Sequence, residues 1–150
     1  MRGIGHNEAT LTALFRNALD RYGDRTAVQS RAGALTYAEL DARSDALASA
    51  LVARGVAPGD PVALVMQNRL EYVVADVAIV KTGAARVPLN PMLSRDEYAY
   101  ILDDVAADAV VCGPEHSETM ADLVDSREDH TTCIAVTDGD VPDGFERYAD

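Results

Sequence analysis

The stretch of residues 61–102 constrains the fold most, because strand and helix signals alternate along it. Residues 62–66 (VALVM) form an unbroken apolar run, which is typical of a parallel strand buried on both faces. Asn68 and Glu71 follow at the spacing of a capping box, which predicts the start of a helix. Residues 84–89 then predict a second short apolar strand. The stretch therefore indicates a strand–helix–strand unit.

The helix between these two strands is predicted to be amphipathic. Its inward face should carry Leu70, Val73, Val74, Val77, Ala78 and Lys81. Gly83 stands where a left-handed C-cap residue is wanted, and Lys81 lies in the last turn, where a cation faces the negative end of the helix dipole. Pro88 and Pro91 should end the second strand, since proline cannot donate to a ladder.

A second capping box, Ser94 with Glu97, opens a helix that should point Tyr98, Ile101 and Leu102 inward. A third, Thr36 with Glu39, opens an earlier helix whose buried face should carry Leu40, Ser44, Leu47, Ala48 and Leu51. The helix stripe nearest the N-terminus consists of Leu11, Leu14, Phe15, Ala18, Leu19 and Tyr22, and it ends at Gly23.

Further strands are predicted on both sides of the 61–102 stretch. Residues 26–30 and 34–37 should pair as an antiparallel hairpin across a three-residue loop, Arg31 to Gly33. Residues 109–112 and 132–136 are later buried strands, with a helix that begins at Gly113-Pro114 between them. The sequence thus predicts an α/β domain with a mainly parallel, doubly wound sheet flanked by helices and an N-terminal antiparallel hairpin.

The net charge is -12, from 13 basic and 25 acidic residues, and Lys81 is the sole lysine. Such an acidic surface repels nucleic acid and anionic lipid, so neither is an expected partner. Aspartate-rich, lysine-poor surfaces suit a high-salt cytosol, in which screening removes the self-repulsion. A GC-rich genome, which favours Arg over Lys, is the alternative explanation.

Cys112 and Cys133 each lie in an apolar run without a second cysteine or a histidine at ligand spacing. We expect them to be small buried residues in a reducing cytosol rather than a disulfide or a metal site. The N-terminal residues have no apolar core like that of a signal peptide, and no apolar run reaches membrane-spanning length. The expected location is the cytoplasm.

Candidate catalytic residues are few. His6, His116 and His130 lie in a leader, a helix start and a loop, and each is better explained as a surface residue than as a base. The adjacent carboxylates Asp103 and Asp104 end an exposed helix, with nothing that places them beside a proton to be moved. Lys81 is at a helix C-terminus, whereas phosphates bind at helix N-termini. We therefore predict no catalytic, cofactor-binding or metal-binding residue in this chain.

Four segments nevertheless resemble adenylate-forming enzymes, the family of acyl-CoA synthetases, luciferases and peptide-synthetase adenylation domains. They are LTYAEL at 35–40, GVAPGDPVAL at 55–64, Asn68 with Glu71, and KTGAARVPLNP at 81–91. They resemble the family's LTYxEL, GVxPGDxVAL…N…E and KxGAxxVPLNP motifs in order and spacing. Asn90-Pro91 in place of Asp-Pro is more similar to fatty-acyl or aryl-CoA synthetases, whereas Arg86 departs from the usual aliphatic or aromatic residue.

The resemblance implies a two-step reaction in which ATP with Mg²⁺ activates a carboxylic acid as an acyl-adenylate and coenzyme A then displaces AMP. The family's phosphate loop, its Thr-Glu pair, its ribose-binding aspartate and its C-terminal lysine have no counterpart in this sequence. ATP, Mg²⁺ and coenzyme A would therefore be bound by the remainder of a longer enzyme. The matching segments are scaffold.

The sequence divides into a flexible leader (1–9), an α/β N-terminal subdomain (10–137) and a truncated connection (138–150) whose last residues resemble the first turn of a helix. Two hypotheses stay open: an incomplete ligase that is inactive alone, or a free-standing α/β binding or interaction module. The first predicts that one apolar face of the parallel strands at 62–66 and 109–112 lacks its cover. The chain would then self-associate.

Overall fold

The computed structural model describes residues 10–136 and the pair Glu146–Arg147. The helices are α1 (Leu11–Tyr22), α2 (Tyr37–Ala53), α3 (Leu70–Thr82), α4 (Arg95–Asp104) and α5 (Ser117–Asp125), the last preceded by a 3-10 turn at Pro114–His116. The strands are β1 (Thr26–Ser30), β2 (Gly33–Thr36), β3 (Pro61–Val65), β4 (Ala85–Pro88), β5 (Ala109–Cys112), β6 (Thr132–Ala135) and β7 (Glu146–Arg147).

Five of the strands form a parallel sheet in the order β4-β3-β5-β6-β7. The remaining two, β1 and β2, pair antiparallel as a separate hairpin. The prediction of an α/β fold with a parallel sheet and an N-terminal hairpin is confirmed. The predicted three-residue hairpin loop is wrong, since Gly33 already belongs to β2 and the turn is Arg31-Ala32. The hydroxyl of Ser30 accepts a hydrogen bond from Ala32 N at 3.1 Å and fixes this tighter turn.

Side chains alternate across β3 and fill a core on each face of the sheet. Ala63 and Val65 pack with the buried residues of α4 and α5, whereas Val62 and Leu64 pack with those of α2 and α3. All four side chains are completely buried, as is every residue of β5. The prediction that one face of these strands is uncovered is therefore wrong, because the two pairs of helices lie on opposite faces.

The predicted amphipathic character of α3 is also wrong. This helix is buried on nearly all sides, because it lies between the sheet and an outer layer made of α1 and the hairpin. Ala75, Ala78 and Ile79 contact the sheet side. On the other side, Val74 and Val77 pack with Leu19 of α1, Leu35 of the hairpin and Leu40 at the start of α2. Gly83 ends α3 with φ 77°, as predicted for a left-handed cap.

Two of the three predicted capping boxes are confirmed. Thr36 caps α2 with Glu39, and Ser94 caps α4 with Glu97. The third is wrong: α3 begins at Leu70, with Arg69 as its N-cap and no side-chain cap bond. The Glu71 carboxylate accepts a hydrogen bond from Arg69 Nε at 3.1 Å, which removes it from the capping role.

The predicted apolar stripe of α1 is only partly covered. Leu19 is buried, but Leu11 and Leu14 are more than half exposed. At the other end of the chain, Glu146–Arg147 pairs in parallel with β6, so the predicted helical turn there is wrong. Among the described residues, no helix combines the length and hydrophobicity needed to cross a membrane.

At one edge of the sheet, β4 is more exposed than the predicted apolar strand. β4 ends at Pro88, as predicted, and this last residue is paired with Leu64 of β3. An edge strand tolerates proline, because the missing N–H is not needed on the outer side. Arg86 reaches back from this edge to the Asp76 carboxylate of α3, with Nη1 2.7 Å from both oxygens.

Candidate functional site

The direction of the sheet connections selects one place on this fold. From β3 the chain crosses to β4 through α3 on one face, and it returns to β5 through α4 on the other. The neighbouring strands β3 and β5 therefore flank a topological switch point. Open α/β sheets bind ligands in the crevice at such a point, beyond the carboxyl ends of the strands.

The switch-point crevice is formed by the segments that follow β3 and β5. Gln67 N donates a hydrogen bond of 2.6 Å to Oε1 of Glu115, which lies on the 3-10 turn after β5. The guanidinium of Arg69 approaches the second oxygen of Glu115, with Nη1 at 3.5 Å, while its Nε bonds Glu71. A carboxylate of the chain itself is thus held across the crevice.

Gly113 makes this arrangement possible. A Cβ atom at this position would lie 2.6 and 2.7 Å from the Glu115 oxygens and 2.7 Å from Cβ of Met66. The Gly113 N–H meanwhile bonds the Val65 carbonyl at 2.9 Å and keeps β5 in register with β3. The absence of a side chain at Gly113 therefore lets the Glu115 carboxylate lie against the ends of both strands.

The charges at the crevice do not fit a nucleotide. One guanidinium, on Arg69, is shared between the carboxylates of Glu71 and Glu115. The backbone N–H of Gln67, a natural phosphate donor, already binds Glu115. A triphosphate would meet negative charge there, and no group of three His, Cys, Asp or Glu side chains suited to a metal ion occurs in the described part of the chain.

His116 stands on the side of the crevice that faces α4. Its ring meets the Tyr98 ring edge-on, with centroids 5.9 Å apart. Its Nε2 atom is buried and has no hydrogen-bond partner among the residues that the structure describes. Burial raises the pKa of the Tyr98 hydroxyl, which stays protonated and donates to the Asn90 carbonyl at 2.9 Å. The aromatic pair thereby ties the loop after β4 to the turn after β5.

The other residues singled out from the sequence are dispersed. Lys81 lies in the last turn of α3, as predicted, and bonds Asp41 and Asp45 of α2 at 2.5 and 2.6 Å. Asp103 pairs with Arg127, which also approaches Asp129. His130 is exposed, and His6 lies outside the described residues. The structure brings none of these candidates to the crevice except His116.

Lys81 borders a groove of about 760 Å³ between α1, α2 and the end of α3. All three polar contacts of Lys81 Nζ go to Asp41 and Asp45, including the Asp41 carbonyl at 3.1 Å. The ammonium has three N–H donors, so none remains for a ligand. We therefore assign Lys81 a structural role, as a clamp between α2 and α3.

Cys112 and Cys133 are free and buried, as predicted. They lie on adjacent strands on the same face of the sheet. Burial, followed by the contact with the Cys112 thiol, raises the pKa of Cys133, so this thiol is neutral and unreactive.

Sequence reasoning did not single out Gln67, Arg69 and Glu115. Each lies within three residues after a predicted buried strand, and that position was the available signal. The pairing of β3 with β5, which brings the segments together, is not encoded in either segment alone.

Comparison with known proteins gives a consistent result. The model of a family described as AMP-binding enzyme matches residues 15–149. A medium/long-chain-fatty-acid–CoA/3-oxocholest-4-en-26-oate–CoA ligase of Mycobacterium marinum is 32% identical over 135 residues, 90% of this chain and 24% of the relative. Tyrocidine synthase 3 of Brevibacillus parabrevis is 38% identical over 102 residues, 68% of this chain and 2% of that protein.

The fold is shared with solved structures. A protein described as a long-chain-fatty-acid CoA ligase from Rhodopseudomonas palustris superposes with a TM-score of 0.82 at 32% identity, over 93% of this chain and 35% of that one. This chain therefore spans about a quarter of the curated fatty-acid ligase and about a third of the structural relative.

Proposed function

Because this chain belongs to the AMP-binding enzyme family, we propose that it forms the N-terminal scaffold of an ATP-dependent acid–thiol ligase. In the proposed reaction a carboxylate oxygen attacks the α-phosphorus of ATP and pyrophosphate leaves. The sulfur of coenzyme A then attacks the acyl carbon of the adenylate, and AMP leaves. The substrate proposed is a fatty or aryl acid, in keeping with Asn90-Pro91 and with the relatives named as CoA ligases.

The observation that carries this proposal is the structural match to a CoA ligase over 93% of the chain. The resembling segments lie at its junctions: 35–40 spans β2 and the start of α2, 55–64 leads into β3, and 81–91 contains β4. These positions are caps, turns, the buried strand β3 and the edge strand β4. We infer that residues 10–137 serve as an N-terminal subdomain, with 1–9 as a leader and 138–150 as a connection.

The chain's own contribution is to position the loops at the carboxyl edge of the sheet. Glu115 fixes the segment after β3 through Gln67 N, and Tyr98 fixes the loop after β4 through the Asn90 carbonyl. Both groups are engaged in contacts within the chain, and the groups that would offset charge on a transferring phosphoryl group are absent from this sequence. We propose that ATP, Mg²⁺ and coenzyme A are bound by further chain, and that the protein works in the cytoplasm, where its two thiols stay reduced.

The test replaces the aligned segment of the Rhodopseudomonas palustris ligase with residues 10–136 of this chain. We expect the folded chimera to catalyse carboxylate-dependent pyrophosphate exchange and to form acyl-CoA, within about tenfold of the parent. The isolated chain should give no exchange above background. A chimera that matches the parent in circular dichroism and melting temperature, yet lacks exchange with every fatty and aryl acid, would contradict the proposal.

A second candidate function is a non-catalytic binding or interaction module that kept the family scaffold. The observation in its favour is that helices cover both faces of β3 and β5. This candidate predicts a monomer in sedimentation that binds no hydrophobic dye, together with an inactive chimera. A monomer with an active chimera would support the ligase scaffold instead.

A further inference from the structure

The outer side of α4 carries an apolar patch that the proposed ligase scaffold does not explain. Met92 is 88% exposed and Tyr100 70% exposed, the two highest values among the large hydrophobic residues of the described chain. Between them, Leu93 and Ile101 help to form a shallow groove of about 410 Å³ that Asp96 and Glu97 border. We call these six residues the α4 patch.

Hydrogen bonds order the backbone of the loop that leads into the patch. The Asn90 side chain accepts a hydrogen bond from Met92 N at 3.0 Å, and the Asn90 carbonyl accepts one from Leu93 N at 3.3 Å. Tyr98, on the buried face of α4, donates a hydrogen bond to that same carbonyl. A surface that is already ordered loses little conformational entropy on binding, so exposed apolar side chains there are suited to recognition.

The border of the patch carries more negative than positive charge, since one exposed arginine, Arg95, stands beside its carboxylates. Hydrogen bonds from the backbone N–H and then the hydroxyl of Ser94 lower the pKa of Glu97, so this carboxylate is ionised at neutral pH. Asp96 lies beside it in the first turn of α4. At the other end of α4, Asp103 and Asp104 stand where the helix dipole disfavours anions, and no basic residue occupies that turn. Asp103 is paired with Arg127, but Asp104 adds exposed negative charge.

From this combination we propose that the α4 patch binds a cationic, apolar peptide segment of a partner protein. Its apolar side chains would enter the groove over Leu93 and Ile101. Its Lys or Arg side chains would meet Asp96 and Glu97 and the face of the Tyr100 ring. Tyr and Met are enriched at protein interfaces, and Met adapts to varied apolar partners.

The charges decide against a second copy of this chain as the occupant. Two α4 patches brought together would set three carboxylates of each chain, Asp96, Glu97 and Asp104, against those of the other, with only Arg95 to offset them. Each molecule also carries a net charge of -12. Like charges juxtaposed at an interface cost free energy and exclude that pairing. The partner segment must therefore carry the opposite charge.

The test uses the 150-residue chain and a labelled helical peptide of about 14 residues, roughly four turns, with a leucine stripe and lysines elsewhere. A peptide with glutamate in place of lysine serves as the comparison. We expect fluorescence anisotropy to show binding of the lysine peptide alone. Tyr100→Ala and Met92→Ala should each weaken that binding by about tenfold. Val52→Ala removes another exposed apolar side chain, on α2, and should leave the affinity unchanged.

A pair of charge-matched variants separates the patch from the overall acidity of the chain. Asp96→Asn should weaken binding and reduce its salt dependence, whereas Asp20→Asn, which removes an exposed carboxylate from α1, should do neither. Equal losses from Tyr100→Ala and Val52→Ala, or from the two Asn variants, would overturn the proposal. Equal binding of both peptides would also overturn it, as would a dimer in sedimentation that Tyr100→Ala dissociates, because the second copy would then be the occupant.

Discussion

Gly113 lies where the turn after β5 passes beneath the Glu115 carboxylate, with no room for a side chain. The first prediction follows from this contact. Gly113→Ala should lower the free energy of unfolding by about 1–3 kcal/mol, because the new methyl group must displace Glu115 or Met66. The measurement is urea denaturation followed by circular dichroism.

The matched control for Gly113→Ala is Gly23→Ala, at the end of α1. A Cβ at Gly23 would meet nothing within 4 Å, and its φ is negative. We expect that substitution to change the unfolding free energy by no more than about 0.5 kcal/mol. Equal effects of the two substitutions would show that close packing at Gly113 does not matter.

Ala106, just after α4, is the non-glycine residue with positive φ, 50°, in the described chain. A left-handed conformation costs an L-residue about 1–2 kcal/mol, which exceeds the extra unfolded-state entropy of glycine, about 0.5–1 kcal/mol. Ala106→Gly should therefore stabilise the protein by roughly 0.5 kcal/mol. Ala99→Gly, inside α4, should instead destabilise it by about 1 kcal/mol. A lower thermal midpoint for Ala106→Gly would contradict the prediction.

At the level of elements, the two confirmed capping boxes make the stability of α2 and α4 depend on pH. Hydrogen bonds from the backbone and hydroxyl of Thr36 lower the pKa of Glu39, and those of Ser94 do the same for Glu97. The ordinary value is 4.5. A carboxyl whose pKa is lowered by folding stabilises the folded state above its unfolded pKa, and it loses that contribution as the pH falls through the folded pKa.

We therefore expect the combined variant Glu39→Gln with Glu97→Gln to show a weaker fall in melting temperature between pH 6 and pH 3 than the unchanged chain. Glutamine keeps the capping geometry but does not titrate. Glu128→Gln, in an exposed loop, is the control and should leave the pH dependence as it was. Identical pH profiles for the combined variant and the unchanged chain would show that the capping carboxylates do not cause the fall in melting temperature at low pH.

Features that depend on residues close in sequence were mostly predicted correctly, whereas those that depend on segments distant in sequence were not. Thr36 and Ser94 were predicted correctly because their caps depend on residues three positions away. The cap at Asn68 was predicted wrongly because Arg69 competes for the Glu71 carboxylate. The burial of α3 on both sides depends on α1 and the hairpin, which are distant in sequence. The crevice at Glu115 depends on strand pairing and was missed for the same reason.

At the scale of the whole molecule, the charge of -12 predicts a response to salt. Self-repulsion among the carboxylates destabilises the compact state, and added ions screen it. We expect the melting temperature to rise steadily from dilute buffer to molar KCl. The isolated contacts of Lys81 with Asp41 and Asp45 are also screened, but two partly exposed ion pairs contribute little against so many like charges.

Differential scanning calorimetry in KCl and in an equal osmolality of sucrose would separate screening from a general solute effect. A melting temperature that is flat in KCl would favour the GC-rich explanation of the composition. A rise in both solutes would point to solute exclusion from the protein surface and not to charge.

The position of Pro88 at the end of β4 bears on how this sheet behaves beside other polypeptides. Ala85 N and Leu89 N donate inward, to Asp60 O and Leu64 O, so the intervening residues Arg86 and Pro88 are the ones directed outward. Arg86 offers an outward amide hydrogen, and Pro88 has none. A strand of another chain that paired with the outer edge of β4 would find no N–H donor at Pro88, near the carboxyl end of β4. At Arg86, which does have an N–H donor, it would meet a charged side chain. The pairing of further strands with the β4 edge is therefore disfavoured. This protects a newly synthesised or crowded chain from edge-to-edge aggregation.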